Sequence, residues 1–336
     1  MLDFHKLKKL VESNNKFLLT THVNPDADAI GSELAFYNIL KKLKKEVRII
    51  NYSETPYYLQ FLDDEKIIEK FNKEIHKNIF NETDVIVCLD LNQANRIVKM
   101  EPFLRQSTKL KICIDHHQNA ENFVDHQFID TQAAATAHII YDFIVSTSIV
   151  ELDEKIALQI YAGLMTDTGS FRFERTTPDI HRIAAHLLEY SINPFYVYDV
   201  IYNSGKFGKI KLLGEAINSL QRFGENKELV VMTLMRNSFD TNEVDESDTD
   251  GFVNLCMSIE GVKIGLKFLE LTDGFKVSLR SKGEIPVHNL AAEFGGGGHK
   301  NAAGIRIRNG SLTANKEKII SRTLEFINEL EKKNNV

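Results

Sequence analysis

The chain's candidate reactive groups share a position: each lies at or just after an apolar run. The densest case is KICIDHHQN, where the run Ile112 to Ile114 gives way to Asp115, His116 and His117. Adjacent histidines on an extended backbone point to opposite faces, so one would bind a metal while the other faces a substrate. Alone, the stretch reads equally well as a solvated turn; the other acids decide. HVNPDADAIGS supplies His22, Asp26 and Asp28, and DVIVCLDLN ends its apolar run at Asp90. In DEKIALQIYAGLMTDTG, Ile156, Ile160, Gly163 and Asp167 fall on one helical face, so Asp167 is expected on the side packed against a sheet. A buried, unpaired carboxylate costs several kcal/mol or turns neutral, so it needs a cation or hydrogen-bond donors.

Four aspartates (Asp26, Asp28, Asp90, Asp167) with His22 and His116 exceed what one metal needs. They suit a pair of divalent ions sharing one carboxylate. Two ions roughly 3.5–4 Å apart hold the attacking and leaving oxygens of an in-line displacement, which is phosphoryl hydrolysis chemistry. Carboxylate-rich ligation with imidazole favours manganese or magnesium over zinc, and the histidines favour manganese. His117 would then contact the phosphate or protonate the leaving oxygen, with Asp115 holding an imidazole.

The elements that must position these groups are read from periodicity. DFHKLKKLVES has helical spacing, FLLTTH is a strand, and Pro25 with the clustered aspartates ends it before a helix that carries Ile30, Leu34, Tyr37 and Leu40 on one face. EVRIINY, DVIVCLDLN and KLKICIDHH are further strands. Near-continuous Val, Ile and Leu runs alternating with helices predict an α/β fold: a parallel sheet with helices on both faces, binding ligands beyond the carboxyl ends of its strands. TQAAATAHIIYDFIV and DEKIALQIYAGLMTDTG read as helices, and the chain looks helical from about Pro178 to Gly224, its aromatics serving packing. ELVVMTLM starts a smaller second α/β domain. The expected division is therefore residues 1–203, a helical linker over 204–227, and residues 228–336.

In the second half, GVKIGLKFLEL and GFKVSLRSK predict a hairpin across Thr272, Asp273 and Gly274. IPVHNLAAEF predicts a short helix. DTNEVDESDTDG lacks calcium-loop spacing, with Met257 where a bidentate Glu should stand, and is expected to be a solvated loop. The run FGGGGHKNAAG is neither a Walker loop nor a dinucleotide fingerprint. Four consecutive glycines nevertheless let backbone N–H groups approach an anion, and Arg280, Lys282, His299 and Lys300 add positive charge.

At 336 residues, 43% of them hydrophobic, the chain is long enough for two cores. Its formal charge of −6, from 41 Lys and Arg against 47 Asp and Glu, argues against long nucleic acid as a stable partner and for small substrates or a local positive pocket. Cys88, Cys113 and Cys256 form no paired metal motif, and Cys88 and Cys113 sit in strands as core. The charged, amphipathic start and the lack of any apolar run near the ~20 residues of a membrane span predict a cytoplasmic protein without a membrane partner.

The set HVNPDADAIGS, VCLDLN, IDHHQN and GLMTDTGSF resembles the four motifs of the DHH phosphoesterase superfamily, and VSLRSK with GGGGHKNAAG resembles its DHH-associated C-terminal domain. The resemblance runs from Lys16 to Arg308 and looks most like the nano-RNase branch, whose members degrade very short oligoribonucleotides and dephosphorylate 3′-phosphoadenosine 5′-phosphate (pAp). It implies two divalent ions, manganese first with magnesium as the alternative. His22, Asp26 and Asp90 would hold one, and Asp28, Asp90, His116 and Asp167 the other, with Asp90 bridging. His117, supported by Asp115, would meet the scissile phosphate. Arg280 and Ser281 with Gly296, Gly297, Gly298 and His299 would grip the nucleotide, the substrate lying between the domains. A homodimer is compatible with this resemblance. Rival readings are a cyclic- or linear-dinucleotide phosphodiesterase, a single-strand DNA exonuclease, an inorganic pyrophosphatase, and a non-catalytic nucleotide-binding module that would have lost ligands.

Overall fold

The apolar runs of the first half become strands that all point the same way. In the computed structural model, which describes residues 2–334, these are β1 (Lys16–Thr20), β2 (Glu46–Asn51), β3 (Ile68–Lys70), β4 (Val85–Leu89), β5 (Leu110–Asp115) and β6 (His126–Ile129). They form one sheet in the order β3-β2-β1-β4-β5-β6, with every pairing parallel. From β1 the chain builds outward through β2 and β3, then returns to β4 on β1's other side and builds the opposite way. That reversal opens a crevice at the carboxyl ends of β1 and β4, where sheets of this kind bind ligands.

Both faces of the sheet are covered, as its continuous apolar runs require. Leu19, Val87 and Ile114 pack with Ile30, Leu34, Ile140 and Ile160 from the helices Ala27–Lys42, Thr136–Thr147 and Glu154–Asp167. Leu18, Ile86 and Cys88 face the other way, onto Phe80, Ile97 and Leu104. Cys88 and Cys113 are fully buried core, and burial pushes the Cys88 thiol up to about 12. The Ala27–Lys42 helix lies so close to the Glu154–Asp167 helix that a methyl group at Gly31 would overlap the Gln159 carbonyl oxygen.

The second half forms its own unit, with a division at Ser204 and Gly205. Its strands are β7 (Gln221–Phe223), β8 (Leu229–Leu234), β9 (Ile264–Leu271), β10 (Gly274–Ser281), β11 (Gly297–His299) and β12 (Ala302–Arg308). The order is β11-β12-β10-β9-β8-β7, antiparallel except for the parallel β8–β9 pair. The expected hairpin is β9–β10. One face packs on the helices Val287–Glu293 and Leu312–Asn334; the other packs on Phe207–Asn218, Phe239, Phe252 and Cys256.

Three expectations change. The stretch read as a linker, 204–227, is built into the second unit: Leu212 and Ala216 are fully buried and β7 pairs with β8. An amphipathic helix beside an uncovered sheet face has more to gain by packing than by spanning solvent. The helical pattern from Pro178 is also interrupted, into Pro178–Leu188, Pro194–Tyr198, a π-helical turn Asp199–Asn203 and Phe207–Asn218. Pro194 stands in the first turn, where its missing N–H costs nothing. Finally, the acidic stretch is no solvated loop. Asp245 and Asp248 cap a short 3-10 turn, Glu246–Thr249, and Lys267, 2% exposed, donates to both the carbonyl and the hydroxyl of Thr249 at 2.7 Å. A buried amine needs oxygen acceptors, so the stretch is pinned to the sheet.

Among the described residues no helix is long and apolar enough to cross a membrane. The tight helix contact at Gly31 is testable by urea unfolding. Gly31→Ala is expected to lower stability by about 1–3 kcal/mol through overpacking, although alanine favours helix; an unchanged midpoint would contradict the contact.

Candidate metal centre

The exits of β1 and β4 bring the first pair of ligand candidates together. His22 follows β1 by two residues, and its Nδ1 lies 2.9 Å from the Val23 carbonyl. A ring nitrogen facing a carbonyl carries the proton, so the lone pair belongs to Nε2, which stands 3.3 Å from Asp90 Oδ2. Burial, then the charge of Arg96, lowers the His22 pKa to about 4, leaving a neutral imidazole suited to a cation. Asp90 follows β4 with φ of 58°, a left-handed conformation that aspartate tolerates better than most residues. Its N–H donates to the Ile114 carbonyl at 3.0 Å. The bend turns the carboxylate across the sheet end. One oxygen faces His22, while Oδ1 lies 3.6 Å from both His116 Nε2 and His117 Nδ1 and accepts from Thr136 Oγ1 at 2.9 Å.

Asp26 caps the Ala27–Lys42 helix, its Oδ1 accepting from the N–H groups of Asp28 and Ala29 at 3.1 and 3.0 Å. Asp28, two residues on in the first turn, is fully buried. Its Oδ2 accepts from Thr136 N at 2.7 Å, and its Oδ1 from Ala137 N at 2.8 Å and Ser32 Oγ at 3.1 Å. Two of these donors are the first N–H groups of the Thr136–Thr147 helix, a favourable site for an anion. Gly163 closes the other side: a Cβ there would stand 2.8 Å from both Asp28 Oδ1 and Ala137 Cβ. Asp167, the last residue of its helix, places Oδ2 3.2 Å from His116 Nε2, which is also 3.8 Å from Asp28 Oδ2.

The two adjacent histidines do not diverge as an extended backbone would make them. β5 ends at Asp115, and beyond it the rings of His116 and His117 meet edge-on with centroids 4.6 Å apart, both beside Asp90. His117 Nδ1 pairs with Asp115 Oδ1 at 2.7 Å. Burial works to raise the Asp115 pKa, but this bond and the nearby imidazoles hold the carboxyl below its ordinary value.

Crowding sets the electrostatics. Asp28, Asp90 and Asp167 are all pushed well above the ordinary carboxylate range, first by burial and then by neighbouring acids: Asp90 and Asp167 act on Asp28, and Asp26 and Asp115 act on Asp90 and Asp167. Carboxylates that would otherwise hold protons are a natural seat for cations. The ligand atoms of His22, Asp26 and Asp90 lie within 4.8 Å of one another, as do those of Asp28, His116 and Asp167. Asp90 offers an oxygen towards each set. Oxygen and imidazole donors without thiolate fit two hard or borderline divalent ions.

The sequence reading missed Thr136, Ala137 and Ser32, which hold Asp28 and Asp90. The helix it placed over TQAAATAHIIYDFIV begins only at Thr136. The signal was there in Ala133, Ala134 and Ala135, small residues that let a helix start approach a carboxylate. Arg96, half-buried, was also missed; its charge acts on His22, Asp26 and His117.

The other candidates lie in the second unit. Arg280 and His299 both stand opposite Ala302, on β10 and β11 respectively, which puts them in one row of the sheet. Arg280 Nε donates to Asn254 Oδ1 at 3.1 Å, and Ser281 Oγ to the Ile285 carbonyl at 2.6 Å. The glycines have a structural reason of their own. A Cβ at Gly296 or Gly298 would overlap the carbonyl oxygens of Gly304 or Ala302 on β12, while Gly297 has open space.

Chelation should expose the repulsion among the acids. A carboxyl whose folded pKa is raised stabilises the fold below its unfolded pKa and loses that contribution as pH rises through the folded value. Divalent ions replace those protons and bind the native state. The Tm gap between manganese-loaded and chelated protein is therefore expected to widen from about pH 5 to about pH 8; a gap independent of pH would contradict the assignment of these acids.

Comparison with known proteins agrees with this geometry. Residues 16–166 match the DHH family N-terminal domain, and residues 226–329 match the DHHA1 domain. The chain is 33% identical over 310 residues to the bifunctional oligoribonuclease and PAP phosphatase NrnA of Thermus thermophilus, spanning 91% of this chain and 89% of that protein. It is 27% identical over 304 residues to the Bacillus subtilis protein of the same name, spanning 90% and 92%. An exopolyphosphatase-related protein from Bacteroides fragilis is similar in structure, with a TM-score of 0.89 at 30% identity over 98% of this chain and 97% of that one. RecJ of Thermus thermophilus, solved in complex with Mn2+, shares the fold with a TM-score of 0.57 at 11% identity, over 97% of this chain and 55% of that one. DHH phosphoesterases are metal-dependent enzymes, and with its six motifs, its parallel sheet and its paired donor sets this chain belongs to the DHH family.

Proposed function

We propose that this protein is a metal-dependent phosphohydrolase that degrades short oligoribonucleotides to mononucleotides and removes the 3′-phosphate from pAp. The observation that carries the reading is the Asp90 carboxylate, which offers an oxygen to each of two donor sets. The names of the relatives support the substrates: they are called oligoribonucleases and PAP phosphatases. In this reading His22, Asp26 and Asp90 hold one divalent ion and Asp28, Asp90, His116 and Asp167 the other, with manganese preferred over magnesium for its tolerance of imidazole.

Two such ions supply positive charge for an in-line displacement at phosphorus and a water acidified for attack. The chain's own groups do the rest. Asp115 accepts the Nδ1 proton of His117 and so leaves Nε2 as the atom that exchanges a proton with the leaving oxygen. The leaving group is a ribose hydroxyl both in a ribonucleotide diester and in the 3′-monoester of pAp, so one acid serves both reactions. Thr136 keeps Asp28 and Asp90 in place as charge moves. Residues 1–203 thus carry the chemistry. From residue 228 onward, Arg280, Ser281, Gly296, Gly297, Gly298 and His299 hold the nucleotide. Substrates of this kind place the protein in the cytoplasm.

The test is to incubate purified protein with di- to pentaribonucleotides, pAp and a cyclic dinucleotide, with manganese or with chelator. Cleavage of the first two, abolished by chelator, is expected; cleavage of the cyclic dinucleotide alone would replace this reading with a cyclic-dinucleotide phosphodiesterase. Asp90→Asn tolerates the left-handed backbone and removes the shared charge. It should cut activity on every substrate by at least about a hundredfold, and retention of one activity would show that the two reactions do not share the centre. Arg280→Ala should raise KM about tenfold with kcat little changed, as loss of remote binding does; an unchanged KM would remove Arg280 from substrate binding.

A further inference from the structure

One fully buried acid takes no part in the centre described above. Glu33 lies in the Ala27–Lys42 helix, and its Oε2 accepts from Asn51 Nδ2 at 2.7 Å. Asn51, the last residue of β2, accepts in turn with Oδ1 from Thr21 N at 3.0 Å and Thr20 Oγ1 at 3.4 Å. Thr21 Oγ1 then donates to the carbonyl of Leu89, the last residue of β4, at 2.8 Å. Glu33, Asn51, Thr20, Thr21 and Leu89 are all fully buried.

These bonds run from the helix through the ends of β2, β1 and β4, and the last two residues they join each stand one residue before a ligand candidate. His22 follows Thr21, and Asp90 follows Leu89. The main-chain pairing of β1 with β4 reaches only Thr20 opposite Cys88. Asp90 is tied by its N–H to β5, on its far side from His22. The side-chain bond from Thr21 to Leu89 is therefore what joins the two exits where the ladder has ended.

We infer that Glu33, Asn51 and Thr21 form a positioning relay that sets the spacing between His22 and Asp90. The inference rests on the reading of those two residues as part of one metal centre. Burial pushes the Glu33 pKa to about 8, with Asn51 opposing and the charge of Asp63 adding to the rise. At neutral pH the relay is therefore uncharged, made of an acid, an amide and two hydroxyls. It braces an acidic centre without adding a negative charge to it.

Three variants test the relay: Glu33→Leu removes the acceptor for Asn51, Thr21→Val removes the hydroxyl at nearly constant shape, and Glu33→Gln keeps an acceptor carbonyl. In chelated, isotope-labelled protein, Glu33→Leu and Thr21→Val are expected to move the ring signals of His22 but not those of His186, which bonds instead to Tyr141. With manganese followed by electron paramagnetic resonance, both should raise the metal Kd roughly tenfold and lower kcat with KM unchanged, as loss of a ligand's support does. Glu33→Gln should stay within about twofold of the parent on each measure, a rescue that mere loss of stability would not produce. Unmoved His22 signals with an unchanged Kd in folded Glu33→Leu or Thr21→Val would overturn the relay. So would Glu33→Gln being as impaired as Glu33→Leu. Parent protein that takes up no manganese would overturn the metal centre instead, while the His22 signals of the chelated variants still decide the relay.

Discussion

Mutual repulsion among buried carboxylates is the constraint on which the first unit depends. Asp28 and Asp90 are buried, and Asp167 stands beside them only partly exposed, at the end of a sheet whose faces are sealed by apolar side chains, so water does little to disperse their charge. Something positive must be built around them. The fold answers with fixed dipoles from the Thr136–Thr147 helix and with the neutral imidazole of His22, whose lone pair faces Asp90, and it leaves the remainder to cations. The parallel topology serves the same end. Reversal of strand order between β1 and β4 is what lets four separate segments reach one point.

Close backbone approach recurs as the means of assembly. Gly163 lets the Glu154–Asp167 helix lie against Asp28, and Gly31 lets the same two helices meet one turn away. In the second unit Gly296 and Gly298 let β11 lie flush on β12. Those glycines were read from sequence as a cradle for an anion, yet their first duty is to strand pairing. Their proposed role in binding comes on top of that pairing, beside the row they help complete, where His299 and Arg280 flank Ala302.

Much of the centre was legible because strand-end acids are a pattern of residue type against hydrophobic period, which survives without coordinates. DVIVCLDLN announced Asp90 and KICIDHHQN announced His116 and His117. What stayed hidden was carried by backbone. The left-handed turn at Asp90 has no composition signal, and the Thr136 and Ala137 N–H groups that hold Asp28 are present in every residue but proline. The divergence expected of His116 and His117 failed for the same reason: β5 ends two residues earlier than the alternation assumed. Short edge strands escaped too, since Ile68–Lys70 and His126–Ile129 carry too few apolar residues to show a period. Around 204–227 the helical pattern was right, but periodicity cannot say which sheet a helix covers.

Thr136 has a consequence beyond its two hydrogen bonds. Its N–H holds Asp28, which serves one donor set, and its hydroxyl holds Asp90, which offers an oxygen to both. Both donors sit on one residue, so the span between them is set by covalent geometry and a single side-chain torsion. One residue thus acts as a ruler across the whole centre. Displacing the start of the Thr136–Thr147 helix would therefore disturb the supports of both carboxylates at once.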